Sequence, residues 1–270
     1  MKTALSIAGS DSCAGAGIQA DLKTMAMNGV YATTAITALT AQNTTGVAAI
    51  LEVPPEFLAQ QLDAVFADIP PDAVKIGMIP SAELMRVAAQ KLAEYGARNV
   101  VIDPVMAASS GPGLMQSGAL AALTDALFPL AALITPNIPE AQALSGKKID
   151  TKAGMEDAAR QLGERFGCAV LLKGGHLGAD ASDVLYANGT LRWFAGARIA
   201  NPNSHGTGCT LSSAIAANLA KGFPLEDAVA RGREYLRGAL ATGLNLGRGS
   251  GPLDHTFDLV SRFAQSSESV

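Results

Sequence analysis

The sequence predicts an α/β protein with a mostly parallel central sheet, helices on both of its faces and a small antiparallel edge. Three observations lead there. Short runs rich in Val, Ile and Ala alternate with stretches of helical period nearly end to end. Each run is almost continuously apolar, as expected for strands covered on both faces. Late in the chain, two such runs are separated by Asn188-Gly189 alone, the pair that a type I′ hairpin turn favours.

Taken in order, residues 3–8 form the first buried strand. Ile18, Leu22 and Met25 then recur at helical spacing and stop at Asn28-Gly29, a helix C-cap. A strand over 31–38, a helix over 55–66, a strand over 73–76, a helix over 81–94 and a strand over 99–102 continue the alternation. Residues 105–117 (VMAASSGPGLMQS) are small, Gly/Pro-punctuated and aperiodic, which fits a flap over a site or an ordinary surface loop. A helix over 117–127, a strand over 131–135, a helix over 151–166 and a strand over 168–172 follow. The hairpin pairs 181–186 with 190–194, and helices over 207–221 and 225–242 close the pattern. With no internal repeat and no linker, residues 1–270 read as one domain with a polar tail from Gln265.

Composition narrows the class of partner. A 49% hydrophobic chain has ample material for a core. A net charge of −4 with dispersed Lys and Arg gives no footprint for nucleic acid or an anionic membrane, so the expected partner is a small molecule. No stretch approaches the roughly 18 apolar residues of a membrane span. The apolar run near Met1 is too short for a secretory segment, so a cytoplasmic location is expected. Cys13, Cys168 and Cys209 are widely separated and odd in number, and read as reduced thiols rather than a bridge or a zinc site.

Several motifs could carry chemistry. In SHGTGCTLSSA (204–214) a Gly-spaced turn opens onto a helix whose first N–H groups lack intrahelical acceptors. Gly206, Thr207, Gly208 and Cys209 are therefore either an ordinary capped helix start or an anion site, and at a helix N-terminus Cys209 is where a thiol is made more acidic and able to act as a base. His205 beside it has no acidic partner at recognisable spacing. In AGSDSCAGAGIQADLKT (8–24) the glycines match neither a dinucleotide fingerprint nor a P-loop, leaving a backbone bowl where Gly9 and Asp21 meet a polar ligand, or a plain strand-helix corner. Gln42 and Asn43 follow a buried strand, where open α/β sheets bind ligands. Asp103 and Thr135-Pro136-Asn137 end two further strands. Asn137 and Glu140, three apart at a helix start, form a capping box or supply oxygens to hydrated magnesium. Lys173, after a strand and before two glycines, is a cation aimed at a phosphate or a solvated loop lysine.

Seven blocks in order, AGSDS-AGAGIQADLKT (8–24), ITALTAQNT (36–44), VKIGM (74–78), VIDPVM (101–106), ITPNIPEA (134–141), LLKGGHL (171–177) and SHGTGCTLSSA (204–214), resemble the ribokinase-like superfamily. Within it the chain is most similar to the hydroxymethylpyrimidine/phosphomethylpyrimidine kinases of thiamine biosynthesis, nearly from end to end. The resemblance implies ATP-dependent phosphorylation of a pyrimidine alcohol and then of its monophosphate, with Mg2+ as cofactor and a homodimer as the assembly. It implies that Cys209 is the base and that the amides of Gly206 to Cys209 form an anion hole. Gly9, Asp21, Gln42 and Met78 would hold the pyrimidine. Asp103, Asn137 and Glu140 would organise magnesium and phosphates, while Lys173 and Thr207 would contact ATP. Cys13 and Ala14 stand where the family turn is smaller and richer in glycine. The nearest rival is pyridoxal kinase, which shares the fold; Gln42 followed by Asn43-Thr44, and Lys173 within KGGHL, lean toward the pyrimidine enzyme.

Overall fold

The computed structural model describes residues 1–106, 118–175, 181–261 and 263–264, so most of the 105–117 segment and the tail from Gln265 lie outside the described residues. In chain order the elements are β1 (Thr3–Asp11), α1 (Gly17–Met27), β2 (Tyr31–Asn43), β3 (Gly46–Glu52), α2 (Pro55–Asp68), β4 (Ala73–Ile76), α3 (Ala82–Glu94) and β5 (Val100–Ile102). A short α4 (Ala119–Ala122) runs into a wide π turn (Leu123–Leu127) and a 3₁₀ turn (Phe128–Leu130). Then come β6 (Leu133–Ile134), α5 (Ile138–Ser145), α6 (Lys152–Phe166), β7 (Ala169–Leu172), β8 (Asp183–Ala187), β9 (Thr190–Phe194), α7 (Thr207–Ala220) and α8 (Leu225–Ala241).

The strands make one sheet in the order β3-β2-β1-β4-β5-β6-β7-β8-β9. From β2 to β7 every pairing is parallel. The hairpin edge is antiparallel as expected, and its turn has Asn188 at φ 50° and Gly189 at φ 78°, the left-handed pair a type I′ turn needs. A second antiparallel edge, β3 on β2, was not expected from the sequence. Gln42 and Asn43 are accordingly the last residues of β2 rather than a loop after it. The helix expected over 117–127 is broken within its described part, because Leu123, Leu127 and Phe128 are all drawn into the core and Pro129 cannot continue the ladder.

Period-two alternation sorts the strand side chains into two cores. Leu5, Ile7, Val74, Ile76, Val100 and Ile102 pack with α2 to α6 on one face. Ala4, Ala73, Val101, Leu133 and Leu171 pack with α1, α7 and α8 on the other. Helix α7 lies between the sheet, α1 and α8, and all of residues Thr210 to Ala220 are buried. Because the six central strands run parallel, their carboxyl ends share one edge of the sheet, and the N-termini of α1 and α7 open toward the same edge.

Candidate active site

Along that edge runs a cavity of about 1000 Å³. It is lined by Gly9, Gln42, Met78, Asp103, Asn137, Glu140, Lys173 and the turn Gly206, Thr207, Gly208 and Cys209. Of the residues to which the resemblance gives a role, all but Asp21 line it, whereas Asn43, singled out beside Gln42, does not.

Two glycine corners build the middle of the cavity. Gly206, the N-cap of α7, has φ 84°, and a Cβ there would come within 1.9 Å of the Gly15 carbonyl oxygen. Gly17, first residue of α1, has φ 57°, and a Cβ there would meet the Gly9 carbonyl oxygen at 2.3 Å. The Gly206 corner thus brings the α7 start against the α1 start and the Gly17 corner brings α1 against β1, so that two helix N-termini converge. Cys209 sits where they meet, partly exposed on the cavity floor, with the Gly17 N–H directed at its sulfur. Burial pushes the thiol up to about 11, against the pull of Lys75 and the Gly17 N–H. The thiol made acidic by its helix N-terminus, expected from the sequence, is therefore not what the structure supports: desolvation outweighs the dipole.

Asp21 corrects another expectation. It is fully buried behind the cavity wall, with Lys75 Nζ 2.8 Å from both of its oxygens, and it accepts hydrogen bonds from Ser6 Oγ at 2.5 Å and Ser213 Oγ at 2.7 Å. Every face of the carboxylate is engaged by protein, so it is not presented to a ligand in the bowl. The sequence missed Asp11 instead. Its carboxylate accepts from the N–H groups of Cys13 at 2.9 Å, Gly15 at 3.1 Å and Ala16 at 2.9 Å, and lies 2.8 Å from His205 Nε2. Burial works to raise Asp11, but the His205 and backbone hydrogen bonds prevail and bring it down to about 2. His205 thus has an acidic partner, supplied from 194 positions away, which no local spacing could reveal. Gln42 Nε2 lies 3.2 Å from the same His205 nitrogen, tying the bowl loop, β2 and the α7 turn together. Met78 closes the bowl over Gly9, where a Cβ would stand 2.6 Å from the Met78 Cε.

Beyond Cys209 the cavity becomes ionic. Lys173 Nζ is 2.7 Å from Asp103 Oδ1, which also accepts from Thr135 Oγ1 at 2.9 Å. Both sit beside Gly208, whose absent side chain would collide with Asp103 Oδ2 at 2.9 Å. Asn137 and Glu140 form a full capping box: Asn137 Oδ1 accepts from Glu140 N at 2.9 Å, and Glu140 Oε2 from Asn137 N at 2.8 Å. Burial pushes Glu140 up to about 7; the Lys173 charge opposes this, and the neighbouring Asp103 adds to it. Two carboxylates therefore share one ammonium. The cavity ends in an apolar slot formed by Ile199, Leu211, Leu236 and Leu240, flanked by Arg233 and Arg237. No local signal marks that slot in the sequence, since its walls come from α7, α8 and the 197–201 segment.

Comparison with known proteins identifies the family of the chain. The family model described as phosphomethylpyrimidine kinase matches residues 11–254. The thiamine biosynthesis bifunctional protein ThiED of Geobacter sulfurreducens is 53% identical over 252 residues, 93% of this chain, and the chain spans about half of that protein's length (51%). The hydroxymethylpyrimidine/phosphomethylpyrimidine kinase of Rhizobium meliloti is 48% identical over 93% of this chain and 96% of its own. Among solved structures, the pyridoxal kinase of Staphylococcus aureus in complex with AMP-PCP and pyridoxal superposes with a TM-score of 0.87 at 32% identity, covering 96% of this chain and 94% of that one. The chain belongs to the phosphomethylpyrimidine kinase family, and it is a kinase of the α/β fold just described.

Proposed function

We infer that the chain transfers the γ-phosphoryl group of ATP to the hydroxymethyl oxygen of 4-amino-5-hydroxymethyl-2-methylpyrimidine. In the same cavity it then phosphorylates the monophosphate to the diphosphate. The observation that carries this reading is the position of Cys209, on the cavity floor where two helix N-termini meet, between a small polar bowl and an ionic cluster. Gly9, Gln42 and Met78 hold the pyrimidine. The amides of Gly206, Thr207, Gly208 and Cys209 face the charge that builds on the transferring group, and Lys173 and Thr207 bind the nucleotide phosphates. The apolar slot beyond them takes the base of ATP.

Magnesium fits the donor set. Glu140, Asn137 and Asp103 offer oxygens alone, and Glu140 is held near neutral pH by burial beside a second carboxylate, a charge imbalance that a divalent cation relieves. Glu140 and Asn137 would hold it through water, because their capping bonds already occupy one oxygen each. When bound, the ion neutralises phosphate charge.

In the first reaction the hydroxyl proton goes to the thiolate form of Cys209, a minor population at neutral pH for a thiol pushed up to about 11. In the second, the nucleophile is a phosphate oxygen already ionised, so that step needs Cys209 far less. Phosphorus NMR of the purified protein with ATP, magnesium and the pyrimidine alcohol should show the monophosphate and then the diphosphate. ADP released with pyridoxal as acceptor, and not with the pyrimidine alcohol, would establish the alternative, a pyridoxal kinase, which the Staphylococcus aureus neighbour makes the specific competitor.

A cytoplasmic homodimer belongs to the same proposal. The three cysteines are free thiols, and no helix among the described residues is long and apolar enough to cross a membrane. The β2–β3 edge exposes Tyr31, Leu39, Ile50 and Leu51, which a second copy would cover.

A further inference from the structure

We propose that Lys75, held in place by Asp21, is a positioning residue for the alcohol phosphorylation: its ammonium stabilises the thiolate of Cys209 that receives the hydroxyl proton. The proposal rests on the reading of Cys209 as proton acceptor. In that step the O–H bond breaks and an S–H bond forms, the freed oxygen takes the γ-phosphoryl group as ADP leaves, and the thiol later returns its proton to solvent.

Four observations place Lys75 there. Flanked in β4 by Val74 and Ile76, which face α2 to α6, it must point the other way, toward α1 and α7. Its β1 register partner is Ser6, which points the same way and donates to Asp21. The Nζ reaches up toward the carboxyl end of the strand, since a Cβ on Gly77 would stand 2.6 Å from it. Ser213, which donates to Asp21 on the α7 side, lies one turn after Cys209 on the same helix face. The ion pair is thus held between β4, α1 and α7, on the side of the sheet where α7 carries Cys209, and both side chains are fully buried.

Stability does not account for such a pair. A buried ion pair replaced by apolar groups of similar volume often leaves a protein as stable or more so. What the pair adds is a fixed cation in a dry place next to a group that must become an anion. The charged groups around the sulfur are Lys75 from β4, Asp21 from α1, Asp103 after β5 and Lys173 after β7. Burial works to lower the lysine, yet Asp21, Cys209 and Asp103 together hold it above the ordinary lysine value, so it stays charged. Of the groups acting on Cys209, Lys75 is the leading one that favours the thiolate.

The test uses the full chain with Cys13→Ser and Cys168→Ser, so that Cys209 is the sole thiol, and compares it with the same chain carrying Lys75→Met and Asp21→Asn together. A second variant, Lys75→Gln alone, keeps a donor for Asp21 in case the double replacement fails to fold. Thermal melting confirms which variants are folded. In a folded variant, iodoacetamide alkylation of Cys209 near pH 8.5 should slow by about threefold or more, a tenfold loss of thiolate being partly offset by its higher nucleophilicity. Alcohol kcat should fall by about tenfold with KM within about threefold, and the monophosphate step should change little. A folded variant with the parent's alkylation pH profile would overturn the proposal, and so would equal losses in both phosphorylations. If Asp21 instead touched the pyrimidine, KM would rise. Full alcohol turnover by Cys209→Ala would sink the proton-acceptor reading, while the alkylation profile would still report whether Lys75 acts on the thiol.

Discussion

Gly206 does two jobs with no side chain. It takes the left-handed conformation that starts α7, and it lets the Gly15 carbonyl approach to where a Cβ would be 1.9 Å away. Gly206→Ala should therefore cost about 2 to 4 kcal/mol, from the φ penalty and the clash together. Urea denaturation would measure it, and a loss under about 1 kcal/mol would mean the two corners can separate freely. Asp11 carries the clearest acid signature at this scale. Its folded value of about 2 lies below the ordinary 3.8, so the stability it contributes is complete above about pH 4 and is lost as pH falls through about 2. Asp11→Asn should cost about 2 kcal/mol at pH 7, and that difference should shrink toward zero in acid. Residue-scale reading of the sequence found the glycines and Cys209 because their spacing is local. It missed Asp11–His205 and misplaced Asp21, because partners 194, 54 and 192 positions apart are joined only by the fold.

At the scale of elements, the strands and helices of the parallel core were legible because burial on both faces leaves continuous apolar runs with clear punctuation. β3 was not. Its residues from Ala48 to Leu51 are exposed, so neither face imposes the alternation that marks a strand, and only pairing with β2 defines it. The segment after α8 is a further element that periodicity could not show. It passes Gly251, whose carbonyl accepts from His205 N at 3.2 Å, and then buries His255 against Thr24 and Tyr235. Burial lowers His255 to about 4, with the Lys23 charge adding to the effect. A histidine depressed in the folded state binds its proton more readily when unfolded, so stability falls as pH drops from 6.5 toward 4. The loss amounts to roughly 3 kcal/mol. Glu140, raised to about 7, works in the opposite sense over part of that range. The quantity to measure is therefore the difference between the parent and His255→Asn, which should change by that amount between pH 7 and pH 4. A constant difference would mean the ring titrates normally.

For the molecule as a whole, the fold class and the line of the cavity followed from the sequence, since parallel strands put their carboxyl ends on one edge whatever the details. The cavity's far slot did not, because its walls come from separate segments brought together by the sheet order. The exposed β2–β3 face belongs to this scale too. Leu51→Glu should weaken self-association by about a hundredfold or more, read by sedimentation across a concentration series. An unchanged profile would overturn the proposed interface on this face.

The role of the Cys209 thiol is read out by the turnover of Cys209→Ala on both acceptors in parallel. Loss of a positioned base should lower the alcohol step by about a hundredfold or more while the monophosphate step stays within about tenfold of the parent. Equal losses in the two steps, or an unimpaired alcohol step, would contradict the assignment of the thiol as proton acceptor.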